Sequence, residues 1–131
     1  MNIDLIELIL YVADQAKSRD FYATVLQKQP ELDVPGMTEF RLAENVKLGL
    51  MPEKGIAKIL GNNTPHPSEG SGVPRCELYL YTENIEEAFD RAKQAGAKEI
   101  SPIENRNWGD KVGYLADADG HIIAFASKIN N

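Results

Sequence analysis

A chain of 131 residues suits one compact domain, and at this size folding hides about two-thirds of the unfolded surface without disulfides or metal staples. The formal net charge of -6 disfavours nucleic acid and anionic membrane as partners, since both need clustered Lys and Arg. A lone cysteine, Cys76, excludes an intrachain disulfide and a cysteine-rich zinc site, and beside an apolar run it reads as a small buried hydrophobe.

In chain order, residues 3–12 are apolar apart from Asp4 and Glu7 and read as a buried strand. Asp14 is placed to cap a helix with a stripe at Phe21, Tyr22, Val25 and Leu26, which Pro30 ends. Pro35 and Gly36 mark a turn, residues 38–42 and 46–51 alternate as strands, and residues 52–74 read as a long loop with one helical turn near 56–60. The pattern then restarts. Residues 76–81 form a strand, and Asn84 caps a helix with the stripe Ile85, Ala88, Phe89, Ala92 and Ala95, closed by Gly96. Ile100 belongs to a short strand that Pro102 ends. Residues 112–116 and 122–127 are strands joined at the Asp119-Gly120 turn. No leader segment and no apolar run long enough for a bilayer appear, so a cytoplasmic location is expected.

The order repeats: strand, helix, then strands, with Glu7 and Glu77 each seven residues before a helix cap, at Asp14 and Asn84. The expected organisation is a single domain over 1–131, with module one at about 1–52, a loop or crossover at about 53–74 and module two at about 75–131. Strand alternation groups Glu7 with Leu5, Ile9 and Tyr11, and Glu77 with Tyr79 and Tyr81. A carboxylate among apolar strand residues is costly to bury unless paired or protonated. Glu7 and Glu77 are therefore candidates for acid/base chemistry, or for ion pairs with Lys47, Arg41, Arg75 or Arg106. Residues 105–110 form a polar loop with the only tryptophan. There Trp108 is a candidate for stacking on a flat ligand, Arg106 for clamping an anionic one, and Asp110 for ending a turn. Tyr79 is grouped with them as a ligand-binding candidate, while His121 reads as a surface group after a turn. Nucleophile-elbow and phosphate-loop motifs are absent from the sequence.

Three stretches carry a family resemblance: residues 10–14 with 18–22 and Val25-Leu26; residues 78–81 with Ala88, Ala92 and residues 95–97; and Tyr114 with residues 117–121. In this order the chain resembles the vicinal-oxygen-chelate superfamily, the glyoxalase/bleomycin-resistance/dioxygenase group. The resemblance implies an α+β fold of two βαβββ modules in a curled, cup-shaped mixed sheet, and a homodimer. It also implies four metal-ligand positions, which fall here on Glu7, Gly49, Glu77 and Ala124. Gly49 and Ala124 offer no ligand, and two carboxylates make a poor transition-metal site. The expectation is a pocket without a cofactor, or with a weakly held divalent ion, that sequesters a small organic drug or metabolite. Two alternatives compete with it. One is a lyase or isomerase of glyoxalase type using Glu7 and Glu77 for acid/base chemistry. The other is an interaction role in which residues 52–74 exchange between protomers.

Overall fold

The computed structural model describes residues 1–130. Its elements run β1 (Ile6–Val12), α1 (Gln15–Leu26), β2 (Leu32–Val34), β3 (Met37–Ala43), β4 (Val46–Pro52) and α2 (Glu53–Leu60). They continue with β5 (Glu77–Tyr81), α3 (Ile85–Gln94), β6 (Lys98–Asn105), β7 (Asp110–Ala116) and β8 (Ile122–Lys128). The chain forms two compact units, Met1–Ser71 and Gly72 onward, so the boundary falls within the stretch read as a crossover. Each unit holds one four-stranded mixed sheet. The strand orders are β1-β4-β3-β2 and β5-β8-β7-β6, with the first pair parallel and the others antiparallel. The repeat seen in the sequence is thus a repeat of topology, and the fold is α+β with two βαβββ modules.

In the first unit, α1 starts where expected. The Asp14 carboxylate accepts from Lys17 N at 3.0 Å, satisfying one free helix-end donor. The helix packs on β3 and β4, burying Tyr22 and Val25 against Val12, Phe40, Leu48 and Leu50. Each such large apolar side chain contributes about 1.5–3 kcal/mol on burial. Thr38 is buried on this face too, and its hydroxyl donates to Asp33 Oδ1 and accepts from Gln15 Nε2, both at 2.9 Å. In the second unit, α3 packs on β7 and β8, with Ile85, Ala88, Phe89 and Ala92 buried together with Leu115, Ile123 and Phe125. Gly113 is required here: a Cβ on it would sit 2.6 Å from Ile103 and 2.7 Å from the Phe89 ring.

Several local expectations change. α1 ends at Leu26 because Gln27 turns left-handed at φ 54°, three residues before the proline. Residues 52–74 contain a two-turn helix, α2, anchored by buried Ile56, and a short 3-10 turn at Pro67–Gly70. Pro102 does not end a strand. It lies within β6, the outermost strand of its sheet, where a missing N–H costs little. Asn84 precedes α3 but makes no side-chain cap, since its backbone is left-handed at φ 55°. Cys76 is exposed, because β5 begins only at Glu77 and its sheet does not reach the thiol. β1 is buried only in part: Val12 is fully enclosed, but Ile6 and Leu8 keep 52% and 46% of their surface on this edge strand.

Candidate functional site

The face of each sheet away from its helix carries the polar residues. In the first unit the register places Glu7 opposite Lys47, and both Ile9 and Glu39 opposite Gly49. Gly49 and Glu7 are close neighbours: a Cβ at position 49 would lie 2.5 Å from Glu7 Oε2. That oxygen is buried and has no hydrogen-bond partner while Glu7 is ionised. Burial pushes the Glu7 carboxyl above its ordinary value. A hydrogen bond to Glu39 and the Glu39 charge push it further, against an opposing pull from Lys47. Lys47 Nζ lies 3.6 Å from Glu39 Oε1. A proton on Glu7 therefore resolves a crowded pair of carboxyl groups.

Metal coordination fits this unit poorly. The position facing Glu7 is a glycine with no donor atom, and the residue paired with Glu7 brings an ammonium group. In the second unit the equivalent β8 position, Ala124, pairs with Tyr79 and is equally without a donor.

The second unit's face is built differently. Ala124, Ala126 and Val112 form a buried floor, and Tyr79 and Tyr114 pack on it. Asp110, only 1% exposed, begins β7 at one end of this floor. Its Oδ2 accepts the hydroxyl protons of Tyr79 at 2.7 Å and Tyr81 at 2.5 Å. Trp108 Nε1 donates to the Tyr79 hydroxyl at 2.9 Å, so one chain of donors runs from indole to phenol to carboxylate. The Tyr79 hydroxyl is pushed up to about 12, first by burial and then by the acceptor it serves, with the Trp108 donor opposing. The two tyrosine donors hold the Asp110 carboxyl below its ordinary value, and Lys128 adds to this. Tyr79 and Tyr81 meet edge to face, with centroids 5.4 Å apart.

The residues singled out in the sequence divide accordingly. Tyr79 and Trp108 are brought into direct contact. Arg106 lies nearby over the Tyr114 ring, but much of its guanidinium is committed: Nη2 donates to Pro102 O, Val112 O and Ser101 Oγ, at 2.8, 3.0 and 3.1 Å. Glu77 is exposed at the start of β5 and, after burial, is the main influence raising Tyr114. Glu7 has Glu39 beside it. His121 belongs to the turn between β7 and β8, where Asp117 Oδ1 accepts from the backbone N–H of Asp119 and His121, at 3.0 and 2.9 Å. Reading the sequence missed Glu39, Tyr81 and Lys128 as site residues, and took Asp110 for a turn end. Alternation along 38–42 and 110–116 was the available signal, since it puts Glu39 on the face of Arg41 and Asp110 on the face of Tyr114.

A family model described as a glyoxalase-like domain matches residues 5–130. An uncharacterized protein of Mycobacterium bovis is 27% identical over 115 residues, covering 86% of this chain and 75% of its own. A glyoxalase-related enzyme from Fulvimarina pelagi superposes with a TM-score of 0.78 at 21% identity, over 93% of this chain and 86% of its own. A glyoxalase/bleomycin resistance protein/dioxygenase from Nocardioides gives 0.75 at 20% identity, over 100% and 87%. One described as a family enzyme from Burkholderia phytofirmans gives 0.79 at 12% identity, over 97% and 100%. At these identities the structural likeness establishes the fold alone.

Proposed function

Since the chain belongs to the glyoxalase-like domain family, we propose that it binds a small organic molecule on the aromatic face of its second unit, as a bleomycin-resistance-like protein that sequesters a drug or metabolite without a tightly held metal. One observation carries this reading. Trp108 keeps 55% of its surface exposed, yet its indole is fixed through Tyr79 to a buried carboxylate. An exposed aromatic tethered by a hydrogen bond to a half-buried tyrosine costs less further ordering when a flat ligand stacks on it. The missing donors at Gly49 and Ala124 support a reading without metal.

The test is a titration of the only tryptophan's fluorescence with small neutral and cationic aromatic compounds. Saturable quenching that disappears in Tyr79→Phe, where the indole loses its acceptor, supports the reading. Silence across the panel overturns it.

A second reading has its own support in the buried carboxyl of Glu7. A carboxyl group whose proton is held above its ordinary range by burial and a neighbouring carboxylate suits general acid/base work in a lyase or isomerase, with Glu77 as the corresponding group of the other module. Turnover that survives Glu7→Gln together with Glu77→Gln would exclude it. The exposed apolar side chains of β1 support the homodimer that the resemblance implies. Light scattering at high concentration reads this directly, and a monomer refutes it. Among the described residues, no helix is long and apolar enough to cross a membrane.

A further inference from the structure

Lys128 stands at the end of β8, directly paired with Asp110. Its Nζ lies 3.5 Å from Asp110 Oδ1, 3.3 Å from the Tyr81 hydroxyl and 4.9 Å from the Tyr81 ring centroid. Its side chain is nevertheless 74% exposed. The carboxylate beneath is asymmetric. Oδ2 takes both tyrosine protons, whereas Oδ1 is buried and has no hydrogen-bond partner, since 3.5 Å is long for an ammonium donor. A buried carboxylate oxygen and the ring and hydroxyl of Tyr81 thus border a position occupied by the tip of a flexible surface side chain.

We infer that this position is a receptor for an organic ammonium group, and that Lys128 is the stand-in cation a ligand displaces. The inference rests on the small-molecule reading above and names its ligand class. A cation gains here from the ring quadrupole and from an anion shielded from water. A ligand ammonium that reaches Oδ1 at normal hydrogen-bond length satisfies the oxygen of Asp110 that the tyrosine donors leave unmatched. Displacing Lys128 gives up long contacts from a largely exposed side chain, 3.5 Å to Asp110 Oδ1 and 3.3 Å to the Tyr81 hydroxyl, and that side chain regains rotamer freedom in solvent. An anionic ligand meets the Asp110 charge at the same place. Imine chemistry at Lys128 is disfavoured too, because the Tyr81 hydroxyl and the Asp110 charge hold the amine above its ordinary value and so protonated.

Calorimetric titration of the full chain with benzylammonium, benzyl alcohol and phenylacetate tests this. The wild type should prefer benzylammonium. Lys128→Ala, a change at an exposed side chain, should raise benzylammonium affinity about tenfold and alter benzyl alcohol by less than about twofold. In Asp110→Asn, with its fold checked by circular dichroism, the preference for the cation should vanish. Equal binding of cation and alcohol in both wild type and Lys128→Ala overturns the inference while leaving a small-molecule site. Tighter binding of phenylacetate overturns it and makes Lys128 itself the receptor. Binding of none of the three overturns the inference and the reading beneath it together.

Discussion

The two units share a topology and a helix-covered core, but their open faces solve opposite electrostatic problems. On the first, Glu7 and Glu39 crowd beside a glycine, and burial drives Glu7 toward its neutral form. On the second, Asp110 is more deeply enclosed, yet two tyrosine protons keep it charged. Burial alone therefore does not set a carboxyl group's state; the supply of donors does. The two units are alike in covering one apolar sheet face with a helix and differ on the other face.

If the helix-covered faces are what the repeats share, their cores should respond alike. Phe40→Ala in the first unit and Phe125→Ala in the second should each cost about 3–5 kcal/mol in urea unfolding. Losses differing by more than about 2 kcal/mol would break the equivalence.

The glycines should separate the faces. Gly113→Val drives a side chain into the Phe89 ring and Ile103 and should cost about 1–3 kcal/mol or more. Gly49→Ala collides with the movable end of Glu7 and meets Ile9 and Met37 less closely, at 3.1 and 3.4 Å, so it should cost less, and part of that loss should disappear in a Glu7→Ala background. A double-mutant cycle measures the coupling, and additivity would show that the two positions do not touch.

The smallest effects should be in pH dependence, with opposite signs. Glu7 holds its proton more tightly folded than unfolded, so its contribution is fully present below the ordinary value of 4.5 and is lost as pH rises through its raised folded value. Asp110 behaves in reverse: its contribution is present above 3.8 and is lost as pH falls through its lowered folded value. Tyr79 adds an alkaline limb, with stability lost as pH climbs from 10 toward about 12. Glu7→Gln should flatten the first of these limbs in thermal melts, and Tyr79→Phe should remove the last and weaken the Asp110 limb, which loses one of its donors. If Glu7→Gln leaves the profile unchanged, the first unit's carboxyl pair is ordinary.

Much of this frame is legible in the amino-acid sequence. The stripe at Ile85, Ala88, Phe89 and Ala92, the Asp14 cap and the doubled order of elements follow from short-range patterning, and the structure follows them. What escaped depended on strand ends and on partners distant in sequence. Starting β7 at Val112 hid the fact that Asp110 lies in the strand, on the Tyr114 face. Stopping β8 at Ser127 left out Lys128. The exposed apolar edge of β1 looked like a core strand because composition reports what a residue prefers, not whether a neighbour is present to cover it. Glu39 was passed over because its significance comes from Glu7, more than thirty residues away.

On the proposed function, the second unit's face, fixed by the Trp108–Tyr79–Asp110 chain, receives a small organic molecule without the help of a metal. The side-chain N–H resonance of the only tryptophan reports on that chain directly in an NMR titration. Benzylammonium should move it saturably, with the same midpoint in magnesium or zinc as in chelator. A resonance that stays still with the organic probe, but shifts when a divalent ion is added alone, would contradict the account.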